Sequence, residues 1–197
     1  MCCRFYVYSS SSDERERKIL SLMERDYPGG YKTGEIFPGD TAPAVLGENG
    51  RLRHAPAVFG FPGFGKNRLI INARSETVAE KPAFAGAFRE SRAIIPADGF
   101  FEWSRGGERK KYLFTLEEPR TLWLCGLFVI ADGQYRFVIL TRPANESMID
   151  VHDRMPVIAP PDGVRAYLTD LNAAKEIVES AAPALCRQAC DAGEFEL

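Results

Sequence analysis

The stretch Arg92-Ala93-Ile94-Ile95-Pro96-Ala97-Asp98-Gly99-Phe100-Phe101-Glu102-Trp103 says most about the fold. Its two runs of β-formers, 92–96 and 99–103, predict two successive strands separated by a short break. The chain continues in the same way, with further strands predicted at 111–116, 122–130 and 135–141. Gly106-Gly107 and Asp132-Gly133 between them suit hairpin turns. This succession of hairpins predicts a largely antiparallel, barrel-like sheet.

Helices and shorter strands are predicted around that sheet. Residues 13–26 carry an apolar stripe at Ile19, Leu22 and Met23, and Ser11 with Glu14 fits a capping box. The other predicted elements are helices at 81–90, 163–169 and 172–181, a helical turn at 145–149, and strands at 3–8, 35–37, 57–61, 69–71 and 155–159. The Gly- and Pro-rich stretch 28–62 is otherwise expected to be irregular. We therefore expect an α+β protein with one domain over 1–197, in which 171–197 form a C-terminal helix and an acidic tail.

The composition excludes several classes of protein. With 197 residues, 45% of them hydrophobic and 26% charged, the chain is long enough to bury a core. Two histidines are too few for a multi-histidine metal cluster, and no apolar run reaches the ~18 residues of a membrane helix. The five cysteines have no regular spacing, although Cys186 and Cys190 could share a helical face. We expect a cytoplasmic protein with reduced thiols, no membrane segment, no metal and no cofactor.

The charge of the whole chain conceals a basic segment. The 25 basic and 27 acidic residues give a net charge of -2, which argues against a nucleic-acid binder. Residues 51–111, however, hold twelve Lys or Arg against six Asp or Glu, whereas 162–197 hold three against seven. The basic segment is interleaved with aromatic residues at Phe59, Phe61, Phe64 and Trp103. Cations with aromatic rings are what a groove for single-stranded nucleic acid requires.

Cys2 becomes the N-terminal residue if Met1 is removed. It would then carry a thiol beside an α-amine with a pKa of ~7.7–8.0. The thiol could attack a carbonyl with the amine as its base, as in N-terminal nucleophile hydrolases. Alternatively, the amine could condense with an aldehyde to an imine, which the thiol closes into a thiazolidine. A purely structural role at the start of a strand is the third reading.

Three more polar residues stand where a structural role explains them poorly. Asn72 directly follows a predicted buried strand, and asparagine is a weak strand former. Glu102 lies between Phe101 and Trp103, so it is either desolvated and suited to acid–base work or simply turned to solvent. Strand alternation would put the two flanking rings on one face and Glu102 on the other. His152 precedes Asp153 and could be a proton-transfer group or an ordinary packed histidine.

Four segments, in order along the chain, closely resemble the SOS-response-associated peptidase (SRAP) family. They are Met1-Cys2-Cys3-Arg4-Phe5, Asn72-Ala73-Arg74-Ser75-Glu76-Thr77, the stretch 92–103 quoted above, and His152-Asp153-Arg154-Met155-Pro156-Val157. Leu140-Thr141 with Ala144-Asn145 fits the same pattern. The resemblance implies an SRAP-like fold and a monomer, associated with the nucleoid when bound to DNA. It also implies a DNA-damage protein that binds single-stranded DNA and crosslinks to abasic sites.

The resemblance also implies roles for individual residues. Cys2 would capture the ring-opened sugar aldehyde as a thiazolidine, and Asn72 would hold the reacting groups. Glu102 would act as general acid and base. His152 would bind the sugar oxygens and move protons, also in crosslink reversal and a weak lyase reaction. The implied DNA contacts are phosphate binding by Arg4, Arg74 and Arg154, base stacking by Phe59 and Trp103, and a minor contact from Thr141.

The chain departs from the family pattern at two places. Cys3 replaces the usual glycine and sets a second thiol beside Cys2, and Phe59-Gly60-Phe61-Pro62-Gly63-Phe64 replaces a tryptophan-containing segment. Two other functions stay open from the sequence. One is an N-terminal-nucleophile peptidase, autopeptidase or amidohydrolase, which would release product from a peptide or amide without a DNA adduct. The other is a non-enzymatic reader of single-stranded or modified DNA, which would bind without a covalent step.

Overall fold

The computed structural model describes residues 3–8, 13–48, 50–63, 65, 68–105, 109–117 and 120–190. The helices are α1 (Glu14–Asp26), α2 (Pro82–Glu90), α3 (Val164–Thr169) and α4 (Leu171–Glu179), with a 3-10 turn at Ser75–Thr77. The strands are β1 (Arg4–Val7), β2 (Gly34–Ile36), β3 (Thr41–Glu48), β4 (Arg51–Phe59), β5 (Phe61–Pro62), β6 (Leu69–Ile70), β7 (Asn72–Arg74), β8 (Ser91–Ala97), β9 (Gly99–Trp103), β10 (Lys111–Thr115), β11 (Leu122–Ala131), β12 (Gln134–Pro143), β13 (Arg154–Pro156), β14 (Ile158–Ala159) and β15 (Cys186–Cys190). The strands predicted within 92–141 and the four predicted helices agree with these bounds to within two residues.

Five strands close into a hydrogen-bonded ring. β12 pairs in parallel with β4, and the ring continues through β3, β8 and β11 back to β12 by antiparallel pairs. The Asp132-Gly133 turn joins β11 to β12, and both residues have positive φ (53° and 75°), as a tight hairpin turn requires. The predicted α+β fold with a barrel-like, largely antiparallel sheet is confirmed.

A second sheet, in the order β15-β10-β9-β1-β2, packs against this ring. Asp98 alone separates β8 of the ring from β9 of the second sheet. Phe5 on β1 contacts Phe59 and Phe137 of the ring, with ring centroids 5.5 and 6.2 Å apart. The core between the two sheets is therefore aromatic. The one-residue link from β8 fixes where β9 begins relative to the ring of strands.

Three of the sequence predictions are corrected by the structure. The stretch 28–62, expected to be irregular, contains β3, where Pro43 pairs with Pro56, so the two residues that cannot donate to the ladder face each other. Asp13, whose carboxylate accepts from the amides of Arg15 and Glu16, is the N-cap of α1, and Ser11 lies outside the described residues. Cys186 and Cys190 lie on β15, paired with β10, and not on a helix.

Candidate active site and nucleic-acid interface

One end of β12 brings together three of the predicted site segments, which are 72–77 beginning on β7, Leu140-Thr141 on β12 itself, and 152–157 around β13. β7 runs parallel to β12, with Asn72 level with Ile139 and Arg74 level with Thr141. β13 pairs with the end of β12, where Pro143 is opposite Arg154. Two motifs almost eighty residues apart in sequence thus lie beside each other, and the loop that carries His152 leads directly into β13.

Glu102 is buried inside the site, with only 5% of its surface exposed. The register of β1 and β9 pairs Arg4 with Phe101, so Cys3 comes level with Glu102 one position further along. Burial raises the pKa of the Cys3 thiol, and the charge of Glu102 raises it further. The same carboxylate favours the protonated form of His152. Glu102 is therefore within electrostatic reach of both residues, and the solvent-facing reading of this carboxyl is wrong.

His152 is held by contacts at both ring nitrogens, and its side chain is 11% exposed. Nδ1 lies 2.9 Å from the backbone nitrogen of Arg154 and 3.1 Å from Oδ1 of Asp153. Nε2 lies 3.0 Å from Nη2 of Arg105. Burial is the largest cause that lowers the pKa of His152, and Arg105 adds to it, whereas Glu102 and Asp153 oppose it. The neutral imidazole is thus the favoured form at neutral pH.

The three predicted phosphate-binding arginines have different surroundings. The guanidinium of Arg4 lies 4.4 Å from the ring centroid of Phe37 and 4.8 Å from that of Trp103, and it pairs with Glu35 at 3.3 Å. Arg74 is exposed and makes no ion pair with any residue that the structure describes. Of the three, Arg74 is therefore the one whose charge no described carboxylate neutralises.

Both terminal nitrogens of the Arg154 guanidinium donate hydrogen bonds. Its two terminal nitrogens donate to the carboxylate of Glu76, and Nη2 also donates to the carbonyl of Thr141 at 2.5 Å. Because Arg154 donates these bonds, the pKa of Glu76 falls to about 2. Glu76 lies within the motif at 72–77, so the sequence showed the residue but not its role.

Two of the predicted DNA contacts are corrected by burial. Phe59 has no exposed surface and stacks on Phe137 with centroids 5.1 Å apart, so its ring cannot stack on a base. Thr141 is fully buried as well, so its side chain has no surface for a DNA contact, and its carbonyl accepts from Nη2 of Arg154. Trp103, in contrast, is only partly buried, with the guanidinium of Arg4 4.8 Å from its ring centroid.

The basic segment 51–111 does not form one face. Arg92 is buried and donates to the carbonyls of Phe88 and Tyr167, so it serves the core. β4 and β12 run in parallel with Val58 level with Arg136, which puts Arg51 about twelve residue steps from Thr141 along the strand direction. Phe61 is buried, while Phe64, Lys66 and the turn at Gly106-Gly107 lie outside the described residues.

Several residues of the site were missed by sequence reasoning. Lys111 on β10 lies 3.9 Å from the ring centroid of Phe101, 5.8 Å from that of Trp103, and 2.9 Å from Oε1 of Glu35. Strand alternation had put the two rings on one face, and this contact confirms it. Glu35 on β2 and Lys111 on β10 are separated by β1 and β9 in the second sheet and are far apart in sequence, so no local signal marks them.

Cys2, the predicted nucleophile, lies outside the described residues. Within the described ranges, no three His, Cys, Asp or Glu side chains are grouped as metal ligands. Among the helices that the structure describes, none combines the length and the apolar character needed to cross a membrane.

The sequence matches the family described as SOS response associated peptidase (SRAP) over residues 1–192. The chain belongs to the SRAP family. Among curated SRAP relatives, abasic site processing protein YedK of Escherichia coli is 32% identical over 193 residues, covering 92% of this chain and 86% of the relative. Abasic site processing protein YoaM of Bacillus subtilis is 32% identical over 196 residues, covering 91% and 84%.

Solved structures share the fold of this SRAP chain. A phage-related protein of Bordetella bronchiseptica superposes with a TM-score of 0.73 at 24% identity, covering 97% of this chain and 95% of that one. A protein of Bacteroides thetaiotaomicron gives a TM-score of 0.69 at 18% identity, covering 95% and 91%. The family resemblance read from the four segments is thus confirmed, together with the fold it implied.

Proposed function

We propose that this chain binds single-stranded DNA at abasic sites and forms a covalent crosslink through Cys2 after removal of Met1. Two relatives that are 32% identical to it over most of its length are named abasic site processing proteins. The observation that carries the proposal is the buried Glu102, whose charge acts both on Cys3, the sequence neighbour of Cys2, and on His152. Acid–base groups thus lie near Cys3, whose neighbour in the sequence would supply both an amine and a thiol.

The crosslink needs an aldehyde, and the ring-opened abasic deoxyribose has one at C1′. The α-amine of Cys2 adds to that carbon, and the resulting carbinolamine loses one water to give an imine. The thiol then adds to the imine carbon, its proton passes to the nitrogen, and a thiazolidine closes. The whole sequence releases one water and requires no oxidant.

Each step of this chemistry has a residue suited to it. Glu102 protonates the departing hydroxyl and relays the thiol proton to the nitrogen, because a buried carboxyl within the site can exchange protons with both. Neutral His152 accepts hydrogen bonds or protons from the sugar hydroxyls. Asn72, on β7 beside β12, holds the sugar through its amide. The same His152 could remove the proton α to the imine, which is the step of a β-elimination lyase.

The DNA strand is held by its phosphates and one base. Arg74 supplies an exposed cation, and Arg4 and Arg154 supply forks already held in place by carboxylates. Planar bidentate donors suit phosphate oxygens. Trp103 offers a partly exposed ring for stacking.

The test is adduct formation with a single-stranded oligonucleotide that carries one abasic site. Intact mass first verifies that Met1 has been removed. We expect a heat-stable adduct with a mass equal to protein plus DNA minus one water, and none with Cys2→Ala. The matched control is Cys3→Ala, which should still crosslink, and an oligonucleotide with a tetrahydrofuran analogue should not react because it has no aldehyde. An adduct that survives Cys2→Ala contradicts the proposal.

The word peptidase in the family description supports a second candidate, a hydrolase that uses the same Cys2. Its thiol would attack a peptide carbonyl with the α-amine as base. Product release from a peptide library, lost in Cys2→Ala and unaffected by competing abasic DNA, would favour this activity. Binding of abasic DNA without any adduct would instead indicate a non-enzymatic reader.

A further inference from the structure

Arg105 forms the outer wall of the site around His152. It lies just after β9, and its side chain is 56% exposed, yet its guanidinium reaches across to the loop before β13. Nη2 lies 3.0 Å from Nε2 of His152 and 2.5 Å from Oδ1 of Asp153. One guanidinium therefore spans both residues at the solvent side of the imidazole.

These contacts limit where the imidazole can carry protons. A guanidinium has donors only, so Nε2 of His152 must act as acceptor towards Arg105. Nδ1 accepts a hydrogen bond from the backbone N–H of Arg154 at 2.9 Å, so donors face both ring nitrogens. A second proton, on Nε2, would point at a donor that carries a permanent positive charge. The geometry thus disfavours the doubly protonated, charged ring.

The other charged groups around His152 act in the opposite direction. Glu102 approaches from β9 and Asp153 from the same loop, and both carboxylates favour the protonated ring. The side chain of Arg154 turns away to Glu76, although its backbone N–H donates a hydrogen bond to Nδ1. Among the described side chains, Arg105 is thus the cation that balances two carboxylates at this imidazole.

We propose that Arg105 is a positioning residue that orients His152 and keeps it neutral, so that the imidazole enters the reaction as a proton acceptor. Its consequence for crosslinking rests on the proposed function, whereas its effect on the protonation of His152 does not. Arg105 releases Nε2 when a phosphate of the strand takes over its guanidinium, because both partners accept the same donors.

An NMR titration of the imidazole protons tests the inference directly. The chain has two histidines, and His54→Gln assigns the second set of resonances to His152. In Arg105→Gln we expect the titration midpoint of His152 to rise by roughly half a pH unit or more, since a cation is lost and Asp153 is released. Arg105→Lys, which keeps the charge but not the fork, should lie between the two. The matched control is Arg109→Gln, which removes the same charge from an exposed position nearby and should leave the midpoint unchanged.

An unchanged midpoint in Arg105→Gln would overturn the inference, whatever the crosslinking rate does. The pH dependence of crosslinking supplies the second measurement. Its acid limb should move up with the midpoint, so that Arg105→Gln is several-fold slower near pH 6 and close to the unmodified protein near pH 8. A shifted midpoint with an unshifted rate profile supports the role of Arg105 and contradicts the proposed role of His152 in the reaction.

Discussion

Glu102 is the residue on which the proposed chemistry depends most. It is buried, accepts a hydrogen bond from the backbone nitrogen of Trp103 at 3.2 Å, and lies level with Cys3. Glu102→Gln keeps the size of the side chain but removes the exchangeable proton. We expect the crosslinking rate to fall by on the order of 100-fold, measured under single-turnover conditions at one pH. Glu117→Gln, at an exposed position, is the control, and equal rates in the two variants would contradict a catalytic role for Glu102.

Phe59 is a core residue, whereas Trp103 is the residue that we propose stacks on a base, so substitutions at the two positions should have different effects. Phe59→Leu leaves a gap beside Phe137 and should lower the free energy of unfolding by about 1 kcal/mol, with DNA affinity unchanged. Trp103→Ala should weaken binding to an abasic-analogue strand by about 1–3 kcal/mol, the worth of one stacked base. Urea unfolding and fluorescence anisotropy measure the two effects. Loss of affinity in Phe59→Leu alone would show that our correction of its role is wrong.

The ion pair between Glu76 and Arg154 makes the stability of the protein depend on pH. Arg154 lowers the pKa of Glu76 to about 2, so the ion pair stabilises the folded state above about pH 4.5 and is lost as the pH falls through about 2. Glu76→Gln should cost about 1 kcal/mol at pH 7, a discounted value because the carboxylate is 44% exposed and screened by solvent. Urea unfolding at pH 7 and pH 2.5 should show this difference shrinking with acid. Glu80→Gln, nearby and exposed, should show no such trend.

At the scale of elements, the junction between β8 and β9 holds the carboxyl of Asp98. Its Oδ2 accepts from the backbone nitrogen of Tyr8 at 2.7 Å, which ties the end of β1 to the start of β9. Burial raises the pKa of Asp98 to about 7, with Glu16 and Asp13 adding their charges. The folded state therefore holds this proton more tightly than the unfolded chain, and the stability it contributes is complete below about pH 4 and lost as the pH rises through about 7.

Asp98→Asn keeps an oxygen acceptor for Tyr8 and removes the titration. We expect the variant to be more stable than the unmodified protein by on the order of 1 kcal/mol at pH 8, and equal to it at pH 4. Thermal unfolding across this range measures the difference. Asp162→Asn, at an exposed position, is the control, and a variant whose advantage did not grow with pH would exclude a raised pKa at Asp98.

Elements with a strong local signal could be predicted, and those fixed by pairing could not. β9 follows from five residues rich in β-formers, and α2 begins with Pro82 at its first turn. β3 was missed because Pro43 and Gly47 argue against a strand, whereas the register with β4 accommodates Pro43 opposite Pro56. The site shows the same division. The motif residues were found by resemblance, but the contact of Arg105 with His152 joins positions 47 residues apart.

At the scale of the whole molecule, charge in the sequence and charge at the site are different quantities. The excess of six bases in 51–111 is divided among the core, at Arg92, the far end of β4, and the site. At the site, Glu35 partly neutralises Arg4 and Lys111, and Glu76 does the same for Arg154. DNA binding should therefore depend on a few aligned donors more than on a broad basic surface.

Salt dependence distinguishes these two views. For single strands the logarithm of affinity falls with the logarithm of salt concentration by about 0.7 per phosphate contact. Contacts from Arg4, Arg74 and Arg154 alone predict a slope of about -2, whereas a surface that used all six excess bases would give about -4. Anisotropy titrations of Cys2→Ala with an abasic-analogue strand, at several KCl concentrations, measure the slope without interference from crosslinking. Arg74→Gln should make the slope shallower by about 0.7, while Arg51→Gln, at the far end of β4, should leave it unchanged. A slope near -4 that responds to Arg51→Gln would mean that DNA follows the ring well beyond the site.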